Sequence, residues 1–362
     1  MSPRLGDVCG GRDNNFNLIR MVAASAVLVS HAFPVTRGWG AAEPFEGVLD
    51  RSLGSIAVFV FFAISGFLIA RSFDRSPRLA DWLAARVMRL FPGLLVVLLL
   101  TALVLGPLVT ALPLSVYFQD PAVGIYVVRN LSLVSQQYGL PGVFETLPAP
   151  WAINGSLWTL FYEVLCYAGV FLAGIAGLLG RPRRAAWAFA AFLVVYAVLR
   201  LPDAAALIHP KIVALRNLSL PFAIGTALYV WRDRVPLGWG WTAGLALLAA
   251  ALHPTPLFRE AFTLWLAYAV FVLAYLPGGA VRRYNALGDY SYGIYIYAFP
   301  VQQTMMYLLG PMDPWQNMAL AFPATLVCAV LSWYLVEKPG LAARHRLADA
   351  LVRGRALVRR PH

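Results

Sequence analysis

The segment 17–33 has the sequence NLIRMVAASAVLVSHAF, an apolar run with one arginine and one histidine. Arg20 and His31 lie eleven positions apart, which is about 16 Å along an α-helix. Their directions around the helix axis differ by only about 20°, so both side chains lie on one face. Polar groups inside a membrane are costly and often functional. The pair therefore predicts a face with a cation at one depth and a titratable base at another; simple packing of His31 is the alternative.

A carboxylate and two further arginines extend this chemistry. The segment SLWTLFYEVLCY places Glu163 well inside an apolar run, where a carboxylate is paired, protonated or catalytic. The segment WLAARVMRLFP places Arg86 and Arg89 three residues apart, and so on the same side of a helix. Two guanidinium groups facing one way suit a phosphate-bearing ligand. They suit a lipid headgroup, or a plain topology signal, equally well.

Tyrosines mark a third candidate segment, LGDYSYGIYIYAFP at 287–300. It begins with Asp289, and helical spacing brings Tyr292 close to Tyr295. These two tyrosines are candidate substrate-binding residues that line a polar cavity. Packing or a membrane-interface aromatic belt explains them at least as well.

The composition shows what must position these residues. The chain has 362 residues, 60% hydrophobic and 13% charged, with a mean hydropathy of +0.68. Soluble domains are about 25% charged, so we predict an all-α integral membrane protein. About ten transmembrane helices are expected, over roughly 15–36, 54–72, 91–112, 152–179, 185–201, 213–231, 237–252, 261–277, 287–308 and 317–336.

The basic residues indicate the orientation of these helices. With both termini cytoplasmic, most of the 29 Lys and Arg residues fall in segments on the inner side. The net charge of +12 is thus explained by topology and membrane lipids, and no nucleic-acid partner is expected. The three cysteines have neither metal-site nor disulfide spacing, so no metal is expected.

We expect one transmembrane domain over residues 1–340 and an Arg-rich cytoplasmic tail over 341–362 that lies on the anionic inner leaflet. The longest outer loop, about 113–150, is long enough to be functional. It either covers a site that opens outward or lies at the membrane interface.

Six ordered motifs resemble those of the membrane-bound acyltransferase 3 family over nearly the whole chain. The motifs are Arg-x10-His at 20–31, FFAISGFLI at 61–69, RVMRLFP at 86–92, GSLWTLFYE at 155–163, LGDYSYGIYIY at 287–297 and VEKP at 336–339. The resemblance implies a ten-helix, multi-pass protein of the bacterial inner membrane. It also implies transfer of an acyl group, usually acetyl, from cytoplasmic acyl-CoA to a sugar hydroxyl.

The resemblance also assigns roles to residues. It matches His31 to the family's essential histidine and Arg20 to that histidine's arginine partner. It matches Arg86 and Arg89 to cytoplasmic arginines. It matches Trp158 and Glu163 to a tryptophan and a glutamate of the fourth span.

From the chemistry of the residues we expect His31 to be the general base, because imidazole titrates near neutral pH, with Glu163 as a second catalytic residue. We expect the three arginines to bind the donor, acetyl-CoA, and Trp158 to bind the substrate. Glu163 pairs with His31 or with an arginine, and the sequence does not choose between them.

Some positions depart from the family pattern. Ala85, Phe161 and Ala298 stand where arginine, proline and histidine are common, and Ala298 weakens any mechanism that needs a second histidine. The fused hydrolase-like domain of many members is not expected here, so the chain would act alone or with a separate partner. A surface glycan such as O-antigen or exopolysaccharide is the expected acceptor. A glycan transporter or flippase, and a structural membrane protein, are the alternatives.

Overall fold

The structure is a computed structural model that describes residues 3–76, 78–202 and 207–358, without the side chains of 354–358. Within these residues the chain is helical and contains no strand. A helix lies in each of the ten predicted apolar segments. These are α1 Phe16–Arg37, α2 Leu53–Arg75, α3 Leu79–Leu100, α4 Trp158–Ile175, α5 Pro182–Val198, α6 Pro210–Val230, α7 Trp239–Ala251, α8 Phe258–Tyr275, α9 Ser291–Leu309 and α10 Pro314–Ser332.

Shorter helical segments connect or extend the long ones. Helix α3 continues through a π-helical turn, and α10 does the same before the C-terminal helices. The short segments are Leu5–Val8, Glu46–Leu49, Thr101–Leu105 (π), Gly106–Val109, Leu114–Gln119, Pro121–Ser132, Gly279–Ala286 (3₁₀), Trp333–Glu337 (π), Lys338–Ala342 and Arg344–Val358. The predicted outer loop therefore contains two helices, and the predicted tail is helical as far as it is described.

Seven helical segments of the described chain are long and apolar enough to cross a membrane. Their presence makes this a multi-pass membrane protein. The crossing number of ten and the cytoplasmic position of both termini stay predictions. One boundary differs clearly, because α3 begins at Leu79 and not near residue 91. Arg86 and Arg89 have aromatic and carboxylate partners, so these cations do not end the helix.

The chain forms two compact units. The first contains residues 1–20, 58–75 and 162–287, and the second contains 21–57, 76–161 and 288–362. The first twenty residues and the start of α1 belong to the first unit. The rest of α1, with His31, belongs to the second.

An aromatic cluster forms much of the core of the first unit. The ring of Phe67 lies 4.7 Å from Phe271 and 6.4 Å from Phe16, which in turn meets Tyr275 edge-on at 5.4 Å. Beside it, α2 and α6 meet backbone to backbone: a Cβ on Gly66 would lie 2.0 Å from the carbonyl oxygen of Phe222. Only glycine fits there, so Gly66 serves helix packing.

Buried amides hold the helices of the second unit together. Gln302 donates to the Leu28 carbonyl at 2.9 Å, which joins α9 to α1. Asn154 donates to the carbonyl of Ile296 at 2.8 Å. Gln303 donates to the Ala149 carbonyl at 2.7 Å. Buried polar groups are stable only when hydrogen-bonded, so these contacts fix the stretch before α4 against α9.

Candidate active site

His31 lies in the last third of α1, inside the second unit. Its Nδ1 is 3.4 Å from Oγ of Ser156, and the ring of Phe299 meets the imidazole edge-on at 5.3 Å. The predicted base thus has one polar and one aromatic neighbour. The hydroxyl contact orients the imidazole through one nitrogen and leaves the other nitrogen for chemistry.

Ser156 is itself held in place. Its backbone N–H donates to Oδ1 of Asn154 at 3.1 Å, and its carbonyl accepts from the hydroxyl of Tyr295 at 2.7 Å. That tyrosine hydroxyl also bonds to Thr159 on the first turn of α4. Ser156 is fully buried. The three helices α1, α4 and α9 therefore meet at the histidine through one hydrogen-bonded chain.

The residue before the histidine connects to the next loop. Ser30 is buried, accepts from the Gly54 backbone N–H at 2.8 Å and donates to the carboxylate of Glu43. Burial raises the pKa of Glu43 above its usual range, and the Ser30 hydrogen bond offsets part of that rise. A half-buried carboxylate is therefore hydrogen-bonded to the residue that precedes His31 in the sequence.

Glu163 lies in α4 and in the first unit. Its carboxylate accepts hydrogen bonds from Ser65 at 3.1 Å and from the hydroxyl of Tyr167. The Ser65 contact joins α4 to α2 within the FFAISGFLI motif, whereas Tyr167 lies one turn away on α4 itself. The catalytic role predicted for Glu163 stays a prediction.

The predicted donor ligand Arg89 makes two ion pairs in the second unit. Its guanidinium lies 2.5 Å from the carboxylate of Asp289 and 3.6 Å from that of Glu337. Glu337 also accepts from Ser332 at 2.9 Å, and the Arg89 cation lies over the ring of Tyr292 at 5.8 Å. This cluster joins α3, the start of α9 and the end of α10.

The remaining predicted residues occupy separate positions. Arg86 is half-buried in α3, 5.8 Å from the Trp82 ring, and Arg20 is half-buried near the start of α1. Trp158 is the first residue of α4 and partly exposed.

The two predicted substrate-binding tyrosines are buried, and both hydroxyls hold backbone. Tyr292 donates to the Leu90 carbonyl at 2.7 Å, and Tyr295 donates to Ser156 as above. Contact of either ring with substrate stays a prediction.

Sequence reasoning missed Ser156 and the carboxylate partners of Arg89. Ser156 was within a quoted motif, GSLWTLFYE, but one serine among apolar residues is a weak signal. The sequence analysis names Asp289, and Glu337 lies in the VEKP motif. Nothing in the sequence showed that residues 200 or more positions from Arg89 would pair with it.

No group of three or more His, Cys, Asp or Glu side chains in the described part of the chain is arranged to hold a metal ion. Cys9, Cys166 and Cys328 are free thiols.

Comparison with known proteins gives a consistent result. The family model described as an acyltransferase domain, of the acyltransferase 3 type, matches residues 13–337. The chain is 30% identical to the O-acetyl transferase of Shigella phage Sf6, over 90% of this chain and 96% of that protein. It is 29% identical to Nodulation protein 10 of Rhizobium leguminosarum bv. viciae, over 93% and 95% of the two chains.

A third relative is the exopolysaccharide production protein ExoZ of Rhizobium meliloti (strain 1021), 30% identical over 84% of this chain and 92% of that protein. No solved structure matches the chain. Because the family model covers most of the helical chain, and five of the six motifs lie wholly within the matched residues, the protein belongs to the membrane-bound acyltransferase 3 family of acyltransferases.

Proposed function

We propose that this protein transfers an acetyl group from acetyl-CoA to a hydroxyl of a cell-surface or lipid-linked glycan, with His31 as the general base. The observation that carries the proposal is the contact of His31 with buried Ser156 at 3.4 Å. The family supplies the reaction class. The names of two relatives, an O-acetyl transferase and an exopolysaccharide production protein, support acetyl as the transferred group and a glycan as the acceptor.

The proposed chemistry uses His31 twice. The free imidazole nitrogen takes the proton of the acceptor hydroxyl as its oxygen attacks the thioester carbonyl. The carbon–sulfur bond then breaks, and the CoA thiolate takes the proton back from the imidazolium. The products are an O-acetyl ester and CoA with a free thiol. Ser156 holds the ring during both proton transfers.

The arginines supply the proposed donor contacts. Arg86 is half-buried, with its cation 5.8 Å from the Trp82 ring, and the planar guanidinium group suits a phosphate. The Arg89 charge is already opposed by two carboxylates, so its expected donor contact is the weaker proposal. We propose separately that Arg20 contacts the donor and that Glu163 takes part in the reaction.

A cytoplasmic donor and a surface acceptor place the protein in the bacterial inner membrane, with the donor entering from inside. The experiment uses purified protein reconstituted in vesicles, radiolabelled acetyl-CoA outside, and surface glycan from a strain that lacks this chain. Label that becomes covalently bound to glycan with equal release of CoA thiol supports transfer. Movement of glycan across the bilayer without CoA release would instead support the flippase alternative.

A further inference from the structure

The loop that follows α1 contacts Phe299, the aromatic neighbour of His31, and Ser30, the residue that precedes His31. Within it, Trp39 lies nearly parallel to the ring of Phe299, at 15° and 6.3 Å. The ring of Phe299 also contacts His31 edge-on, at 5.3 Å. The histidine and the tryptophan are therefore linked by one aromatic side chain.

Trp39 nevertheless remains open to the surroundings. Its exposed fraction is 56%, although it stacks on a buried ring. Gly38 and Gly40 on either side have φ of +94° and +91°, a backbone region that favours glycine. A Cβ on Gly38 would also lie 3.2 Å from the Pro148 carbonyl oxygen. The two glycines thus set the course of the chain on both sides of the indole.

The same loop brings a carboxylate to the residue that precedes the histidine. Glu43 accepts from Ser30, the residue before His31. An ionised carboxylate accepts about four hydrogen bonds, so Glu43 has capacity beyond its serine contacts. Phe45 and Asp50, with φ of +69° and +52°, hold strained backbone conformations. Such conformations persist only where surrounding contacts impose them.

We propose that Trp39 and Glu43 form an acceptor subsite, in which the indole stacks on a pyranose ring and the carboxylate accepts hydrogen bonds from its hydroxyls. The subsite binds the sugar residue next to the one that is acetylated at His31. An aromatic face and a carboxylate together complement a pyranose ring. The ring has an apolar face that packs on the indole and a rim of hydroxyl donors from which the carboxylate can accept hydrogen bonds. This inference rests on the proposed function and adds an acceptor of at least two sugar residues.

The test measures how binding and acetylation depend on the length of the acceptor, and compares this dependence between wild type and variants of the full chain in detergent. The probes are fragments of one, two and four sugar residues, released by mild acid from the surface glycan of a strain that lacks this chain. The binding of end-labelled fragments and the kinetics of acetylation are both measured. We expect Trp39→Ala to raise Kd and KM for the longer fragments about fivefold to tenfold. It should leave KM for acetyl-CoA and the single-sugar reaction unchanged.

Two further variants separate this role from others. Trp39→Phe keeps an aromatic face and should restore most of the affinity. Trp315→Ala removes another tryptophan of the same unit, 66% exposed and packed on Phe33, and should have no effect on KM. Equal effects of Trp39→Ala and Trp315→Ala would show that both are membrane-interface anchors and would overturn the subsite.

Failure of the inference is distinguishable from failure of the proposed function. Wild-type protein that acetylates all fragment lengths with one KM would overturn the subsite and leave the transferase intact. Wild-type protein that binds the four-sugar fragment through Trp39 but releases no CoA would overturn the transferase alone. Absence of any fragment binding by the wild type would contradict the subsite directly.

Discussion

The hydroxyl of Ser156 lies 3.4 Å from Nδ1 of His31, between residues 125 positions apart in the chain. The contact orients the predicted base from the stretch that precedes α4. It depends in turn on the Tyr295 hydroxyl, which holds the Ser156 carbonyl at 2.7 Å. The position of the imidazole is therefore set by three helices and not by α1 alone.

Removal of this hydroxyl is expected to slow the reaction without weakening substrate binding. One neutral hydrogen bond to the base is worth up to about tenfold in rate. Ser156→Ala should lower kcat about tenfold with KM for acetyl-CoA unchanged, and Ser156→Thr should recover part of the loss. Steady-state kinetics of CoA release measure both, with the exposed Ser55→Ala as a control. A rise in KM equal to the fall in kcat/KM would contradict a positioning role.

Arg86 is expected to contribute to binding of the donor, acetyl-CoA. A charge-assisted contact to phosphate is worth about 1.5–3 kcal/mol, so Arg86→Ala should raise KM for acetyl-CoA tenfold or more. Arg86→Lys should raise KM less than Arg86→Ala does, because lysine keeps the positive charge. It should not match wild type, because lysine lacks the planar guanidinium group. Titration of acetyl-CoA in the CoA-release assay measures the change. An unchanged KM in Arg86→Ala would remove this residue from the donor site.

The Arg89 cluster is expected to matter for stability. Removal of one partner of a buried ion pair leaves the other uncompensated and costs about 3 kcal/mol. Asp289→Ala leaves Arg89 with the Glu337 carboxylate at 3.6 Å, so it should lower the free energy of unfolding by up to about that amount, measured in mixed detergent micelles. The double variant Arg89→Met with Asp289→Leu should lose less free energy of unfolding than the sum of the losses of the two single variants.

A matched pair near the same helix provides the control. Asp81 pairs with Arg78 at 2.8 Å, but that arginine is much more exposed than Arg89. Asp81→Ala should therefore cause a much smaller loss. Equal losses from Asp81→Ala and Asp289→Ala would show that the Arg89 cluster contributes no more than a surface pair.

Glu43 is expected to make stability depend on pH. Burial raises its pKa in the folded protein, so the folded state binds this proton more tightly than the unfolded state. Its contribution is most favourable below the unfolded pKa and is lost as pH rises through the raised, folded pKa. Glu43→Gln should remove that dependence and be more stable than wild type at neutral pH.

Thermal unfolding in detergent, scanned from pH 4 to 7.5, measures this difference. Comparison with the variant isolates Glu43 from other titrating groups, including its neighbour Glu46, whose charge contributes to the rise. A difference between wild type and Glu43→Gln that does not change with pH would show that Glu43 titrates normally.

Much of the membrane architecture was predictable, because apolar runs of the right length report helices directly. A helix lies in each predicted segment, and the family assignment from ordered motifs is confirmed. The start of α3 was wrong by about twelve residues. Hydropathy treats Arg86 and Arg89 as boundary residues, whereas the folded chain gives them Trp82 and Asp289 as partners.

The site was predictable as a set of residue types and not as a set of contacts. His31 and Glu163 stood out because charge and titratable groups are rare in apolar helices. Their partners are hydroxyls, Ser156 for the histidine and Ser65 for the glutamate. A hydroxyl is common in membrane helices, so only three-dimensional proximity distinguishes the one that contacts the base.

The most direct test of the central claim is acetyl transfer from radiolabelled acetyl-CoA to surface glycan by purified wild type and His31→Ala. His253→Ala, which alters a histidine of the other unit, is the control, and thermal unfolding shows that each variant is folded. We predict that wild type and His253→Ala transfer one acetyl group for each CoA released. Folded His31→Ala should be slower by at least a hundredfold. Transfer at the wild-type rate by His31→Ala would contradict the assignment of His31 as the base.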